Sequence, residues 1–553
     1  MASPGRVWGA RYAASFVVFV LLLGLGMAEE VTAQSGAHSH GASEVVDRAA
    51  ESVPLYENLG SLERPVDTAQ EEARAYFQQG LRLTYGFGHP EAIRSFRAAR
   101  ERDPECAMCW WGEAWALGPY INSATMTDED EVAAHAAIQR AMELRDQEGV
   151  SEVDRALIEA MAERYQPTPD ADRRPALDSA YADAMRHVVR EHPHDLDAAT
   201  LLGEALMVLR PWDQWQRDGT PQPGTLEVLA VLESVLGRDL GHPGACHLYI
   251  HAVEASLEPQ RAEPCADLLG SSIPGASHIR HMPSHIYMRV GRYHDAVRGN
   301  TAAWHVDQQA AHGGPPGIYP THNLHMLSFA ASFDGQSAVA MQAARDLARL
   351  APPTGFYRHL TKARFGRWDE LLEDETAPEG DFQRGVWHFA RGLAQLRTGE
   401  VEAAEMDLSA LTGIRDEIGD TRFRRHPHSD LLGMAQGILA GELHASARRF
   451  DEAVEALEAA LPLEEGLPYD EPEPWFIPVR HVLGAVLMEA DRPREAEAVY
   501  REALSIHPEN GWSLFGLAQA LEAQGRVDEA AEVEARFEHM WERADVWLLS
   551  SRF

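Results

Sequence analysis

At 553 residues the chain exceeds what one compact hydrophobic core organises, so it reads as several domains or as one extended repeat array. Apolar residues make up 45% of it, Ala, Leu, Glu and Arg dominate, and β-branched residues are sparse beyond the first segment, which favours amphipathic helices. A formal charge of −37, with Lys362 the only lysine, excludes nucleic acid and anionic membrane surfaces as natural partners.

In chain order, residues 1–33 have the form of a secretory signal: Arg6 and Arg11 precede an apolar run at 13–26, and small residues suit cleavage after Ala28 or Ala33. The run is short for a membrane span, and no other segment is long and apolar enough, so the mature chain is expected in the periplasm or secreted, with no stable span. Residues 34–55, with His38 and His40, are expected to be a flexible leader.

From 56 to 165 the pattern is that of paired helices. Gly80, Ala92, Phe96, Ala99 and Pro104 recur at the same mutual spacing as Gly484, Ala496, Tyr500, Ala503 and Pro508. Five matching sites in two distant segments define a repeat with a period of about 34 residues, the tetratricopeptide (TPR) pattern. Small residues let the two helices of a hairpin touch, and the proline ends the second helix before the next repeat begins. The fold class is therefore all-α, a TPR helical-hairpin solenoid coiled as a right-handed superhelix. Cys106 and Cys109 form a C-x-x-C, but Trp110 follows where haem attachment needs histidine, and they read as two half-buried helix cysteines.

Residues 166–240 read as irregular, TPR-like helices, with loops at 166–175 and 211–224. Residues 241–350 form His-rich central repeats. Setting Ala262 and Pro274 at repeat positions 20 and 32 places His247, His251 and Glu254 at 5, 9 and 12 of the first helix. Gly291 and Ala296 fix the next repeat, with His278, His281 and His285 at 2, 5 and 9. Gly335 and Ala340 fix a third, with His322 and His325 at 2 and 5. All eight are positions that face the concave groove of such an array. His247, His251 and Glu254 share one face of any helix, at i, i+4 and i+7.

Neutral imidazoles with a carboxylate are a ligand set for zinc, copper, iron or nickel, and the donor count exceeds one tetrahedral site, suiting one or two ions. A groove lined with histidine also suits a carboxylate-bearing peptide or organic ligand, or a purely structural network. The order H-x-x-x-H-x-x-E is not the H-E-x-x-H of metalloproteases, and no catalytic motif is defined. Cys246 and Cys265 fall where a disulfide would staple the helix bearing His247 and His251; Cys246 as a thiolate ligand is the alternative. Residues 351–553 read as C-terminal TPR repeats, interrupted at 373–381 and at the Pro-rich 462–478, which includes YDEPEPW at 469–475.

The segments AYFQQGLRLTYGFGHPEAIRSF, HLYIHAVEAS, HMPSHIYMRVGRYHDAV and HNLHMLSFAA resemble those of a group of exported bacterial TPR proteins of about this length. The resemblance spans most of the mature chain and implies repeat-mediated interaction, with no defined activity to carry over; the repeat architecture itself suits a protein or peptide in the groove or a homo-oligomer.

Overall fold

The structure is a computed structural model and describes residues 53–374 and 376–553. Residues 1–33, expected to be a signal sequence, and residues 34–52 of the expected leader lie outside the described residues. Among those described, the only strands are Arg422–Phe423 and His426–Pro427, paired antiparallel as one short hairpin. Everything else is helix and connection, and no helix is long and apolar enough to cross a membrane.

Consecutive helices pack as hairpins. Glu71–Tyr85 lies against His89–Arg102, and Ala107–Leu117 against Asp128–Leu144. At the far end Val479–Glu489 pairs with Pro493–Ile506, and Gly511–Ala523 with Val527–Trp541. The repeat pattern has a direct steric cause. The buried Phe96 ring is wedged between two glycines: a Cβ built on Gly80 would lie 2.8 Å from it, and one on Gly112 of the following helix 2.3 Å. Tyr500 is held the same way, 2.4 Å from a Cβ on Gly484 and 2.2 Å from one on Gly516. An aromatic on the second helix thus needs a glycine on the first helix of its own repeat and of the next.

The central repeats depart from this regularity. The helix Pro243–Val253 starts at a proline, which lacks only an N–H that has no helical partner there. The His242 ring accepts the Ala245 N–H at 3.1 Å as the cap. A Cys246–Cys265 disulfide ties this helix to Glu263–Leu269. The first helix of the next repeat is broken into Ser277–His281 and Pro283–Arg289, because Pro283 has no N–H with which to continue the ladder. Pro320–Phe333 follows as the first helix of the third repeat.

Two expectations are corrected. Cys106 and Cys109 are fully buried and bonded to each other, since Cys106 is the N-cap of Ala107–Leu117 and its side chain folds back over the first turn toward Cys109. The helix Phe450–Gly466 runs through Pro462, so the irregular stretch begins later than its proline content implies.

The central repeats are enclosed by parts of the chain distant in sequence. Gly244 approaches so closely that a Cβ there would lie 2.4 Å from the Tyr85 ring. From the other end, Trp512 Nε1–H donates to the Ser332 carbonyl at 3.0 Å, and Gly291 abuts the Pro508 carbonyl.

Candidate metal centre

Buried helix faces normally carry apolar side chains. On Pro243–Val253, Ser277–His281, Pro283–Arg289 and Pro320–Phe333 they carry histidines. His247, His251, Glu254, His278, His281, His285, His322 and His325 are all buried, the most exposed being His322 at 7%. The sequence places them on an open groove wall; in the structure that wall is covered, because the first repeat and several long connections fold over it.

Seven of the eight converge. His247 and His278 meet with Nε2 atoms 3.2 Å apart, and His281 and His285 with Nε2 atoms 2.7 Å apart. His322 packs edge-on to His281, with centroids 4.5 Å apart. Three groups have one donor atom from each member within 4.8 Å of the others: His247, His251 and His278; His281, His285 and His322; and His251, Glu254 and His285. His325 stands apart from all three. Its ring stacks on Phe476 and lies 4.3 Å from that of Tyr357, and its Nδ1 accepts from Arg424 at 3.2 Å.

The outer nitrogens of His247, His251, His281 and His285 are anchored, which orients those four rings. His247 Nδ1–H donates to the Tyr85 carbonyl at 2.7 Å, which leaves the lone pair on Nε2. His281 Nδ1–H donates to Asn300 Oδ1 at 2.7 Å, and Asn300 is held in that orientation because its amide donates to Ser284 and Ala296. His251 Nδ1–H donates to Glu254 Oε1 at 3.1 Å, and His285 Nδ1–H to Glu254 Oε2 at 2.5 Å. Glu471, from the 469–475 segment, makes a short ion pair with the same His285 nitrogen.

Burial sets the protonation states. It pushes His247, His278 and His281 well below the ordinary imidazole value, and the neighbouring rings add to this. Burial also lowers His325, helped by the Arg424 charge. His285 is the exception: burial opposes its charge, yet the Glu471 and Glu254 carboxylates raise it to about 10. Glu471 is itself raised by burial and by the Glu254 charge beside it.

An aromatic wall closes the cluster. The Phe87 ring lies 4.1 Å from that of His247 and parallel to His251 and His278. Trp212 sits edge-on to His251, and Tyr319 edge-on to His278. Tyr319 shares a 2.7 Å hydroxyl contact with Tyr120, whose ring stacks on His89. Phe87, Trp212 and Tyr319 all have φ between +55° and +59°, a region costly for large side chains, and Arg424 at the cluster's edge has φ +54°. Four non-glycine residues in the left-handed region around one cluster is the concentration of backbone strain found at functional sites.

Over the remaining side lies a strap. Asp470 accepts from Arg424 at 3.0 Å and from His426 Nε2 at 2.9 Å, which ties the 422–427 hairpin to the segment that delivers Glu471. Between strap and histidines is a small cavity of about 20 Å³, room for about one water, onto which His251, His278, His285, His322, Glu471 and Arg425 face.

Glu471, Phe87, Trp212 and Tyr319 are absent from the sequence-based set. The only signal for Glu471 is YDEPEPW, where acids and prolines interrupt an apolar stretch. Phe87, Trp212 and Tyr319 lie in connections whose repeat positions the pattern does not define. Trp111 and Trp115, on the helix Ala107–Leu117, are core residues, and Trp115 Nε1–H donates to Glu204 at 2.8 Å.

A tetratricopeptide repeat family model matches residues 487–534. No curated protein matches the chain. Among solved structures, human IFIT1, as a dimer with m7Gppp-AAAA, is 12% identical over 86% of this chain and 91% of its own, with a TM-score of 0.29. Cut9 in the APC/C hetero-tetramer Cut9–Hcn1 is 13% identical over 87% and 78%, with a TM-score of 0.29. MamA of AMB-1 is 20% identical over 34% of this chain and 96% of its own, with a TM-score of 0.22. The chain is a TPR helical-hairpin array, an architecture that presents extended surfaces for protein interaction.

Proposed function

We propose that this repeat array is an exported protein that binds a first-row transition metal in the buried His/Glu cluster, beside the small cavity. The observation that carries the reading is the tautomer pattern. His247 and His281 are anchored through Nδ1–H on neutral acceptors, and each directs an Nε2 lone pair at a neighbouring ring. The His281 lone pair meets the proton of His285, which Glu254 and Glu471 hold charged, so a metal there would displace that proton. The His247–His278 pair, both rings pushed toward neutrality, is where a cation fits directly. Outer-nitrogen anchoring by carbonyl, amide and carboxylate is the arrangement that orients imidazoles toward metal. Ligand nitrogens about 2.0–2.1 Å from a tetrahedral zinc lie roughly 3.3 Å apart, close to the 3.2 Å between His247 and His278.

The donor set is imidazole with carboxylate, and all four cysteines are in disulfides, so zinc, copper, iron or nickel fit and calcium or magnesium do not. When bound, such an ion supplies Lewis acidity or an activated water. The chain's own groups then hold the rings, exclude bulk water through Phe87 and the strap, and offer Glu471 as a carboxylate facing the cavity. Two disulfides support the exported reading, since they persist in oxidising compartments.

Protein purified without a histidine tag should retain metal through extensive dialysis, measured by elemental analysis. Replacing His278 and His285 together by Ala should remove it and leave the helical circular dichroism nearly intact. A native protein that takes up no zinc, copper, iron or nickel when the salts are supplied overturns the proposal. A peptide or protein ligand of the repeat array is then the reading left standing.

A further inference from the structure

The six imidazoles divide into two triads with no member in common: His247, His251 and His278, and His281, His285 and His322. We infer that the centre holds two divalent first-row transition ions side by side, one on each triad. This rests on the reading that the cluster binds metal at all, and adds the number of ions and the division of ligands between them.

Donor count is the first argument. A tetrahedral ion takes four ligands with nitrogens roughly 3.3 Å apart, so the His281 and His285 nitrogens, now 2.7 Å apart, would separate slightly on binding. The six rings form a closed circuit, with centroids 5.0 Å apart from His247 to His278, 5.5 Å from His278 to His281, 4.5 Å from His281 to His322, 5.6 Å from His322 to His285, 5.3 Å from His285 to His251 and 5.0 Å from His251 to His247. Six imidazoles exceed the four ligands of one tetrahedral ion, and among the described residues the all-histidine sets whose donor atoms lie within 4.8 Å of one another are the two triads.

Separate anchoring is the second. The Tyr85 carbonyl, from the first repeat, orients His247 in one triad. Asn300, on the helix Tyr293–Gln309, orients His281 in the other. Each triad has its own fixed member, supplied by a different element.

Glu254 supplies the link. Its two oxygens contact one ring of each triad, His251 at 3.1 Å and His285 at 2.5 Å, so a single carboxylate sets the orientation of both halves. The cavity also serves both, for His251 and His278 of one triad and His285 and His322 of the other line it. A water in that cavity would lie beside both triads, where two ions could share it.

The test is a count of ions on the full chain, using Zn(II) and, separately, Cu(II), each followed by desalting and elemental analysis. Two ions per chain are expected. His247→Ala with His278→Ala should leave one, His281→Ala with His322→Ala should leave one, and all four together none. One ion on the native chain, abolished by either pair, overturns the two-ion arrangement while leaving a metal site; none on the native chain overturns both. Should a variant not fold, the native Cu(II) form suffices: two neighbouring ions couple, and the electron paramagnetic resonance intensity falls well below the copper count. An intensity equal to the copper count overturns the proposal.

Discussion

At His285 three partners meet: the His281 ring on one nitrogen, and Glu254 and Glu471 on the other. Glu254 is a near neighbour of the helix bearing His251, whereas Glu471 arrives from nearly two hundred residues along the chain. Glu471→Gln removes one of the two carboxylates that orient His285. It should weaken zinc binding about 10- to 100-fold, measured by competition with a chromophoric chelator, with the helical spectrum unchanged. A second buried acid gives a prediction away from the cluster. Asp307 accepts from Asn323 at 2.7 Å, and burial raises its carboxyl to about 7. A carboxyl raised in the folded state contributes stability that is complete below its unfolded value near 4 and is lost as pH rises through about 7. Asp307→Asn has no such titration. Its stability relative to the native chain should therefore improve by up to roughly 4 kcal/mol between pH 4 and pH 8, read from urea midpoints. A difference that stays flat across that range would refute the assignment.

At the scale of the elements, the glycines at hairpin crossings decide how closely helices approach. Gly112 meets the buried Phe96 ring, which Gly80 blocks from the other side, so the ring has nowhere to retreat. Gly112→Val should cost about 2 kcal/mol or more, seen as a lower thermal midpoint, because the overpacking exceeds the small gain in helix propensity. Gly413 is the control. It lies in the helix Val401–Glu417 with nothing within 4 Å of a built Cβ, and Gly413→Ala should stabilise by up to about 1 kcal/mol. Helices and their crossings are legible in the sequence because both follow from local spacing: small residues, one aromatic and a terminating proline. The strap is not, for nothing in 422–427 or 469–475 alone says that Asp470 will accept from both Arg424 and His426.

At the scale of the whole molecule, the N-terminal segment is fastened by a buried charge. Arg64, 5% exposed, contacts Asp154 at 2.8 Å, Asp195 at 3.1 Å and Asp197 at 3.0 Å, and Tyr85 and His242 also bind Asp197. This node joins the first repeat, whose Tyr85 carbonyl orients His247, to the helix Leu196–Val208. Arg64→Ala removes the one positive charge that three clustered carboxylates share and should destabilise the fold by about 3–5 kcal/mol in denaturant titration. It should also loosen metal binding, because the anchor on His247 depends on that packing.

The sequence by itself determined the repeat, the helical class and the eight polar residues on the central helices, because each follows from spacing along a regular helix. Only the tertiary structure decided that these side chains are buried, that seven of them meet while His325 joins Phe476 and Arg424, and that Glu471, Phe87, Trp212 and Tyr319 complete the enclosure. The physical reason is that helical periodicity fixes which face a residue occupies, whereas what covers that face is set by connections folding back across long separations. Their courses depend on packing that no local pattern records.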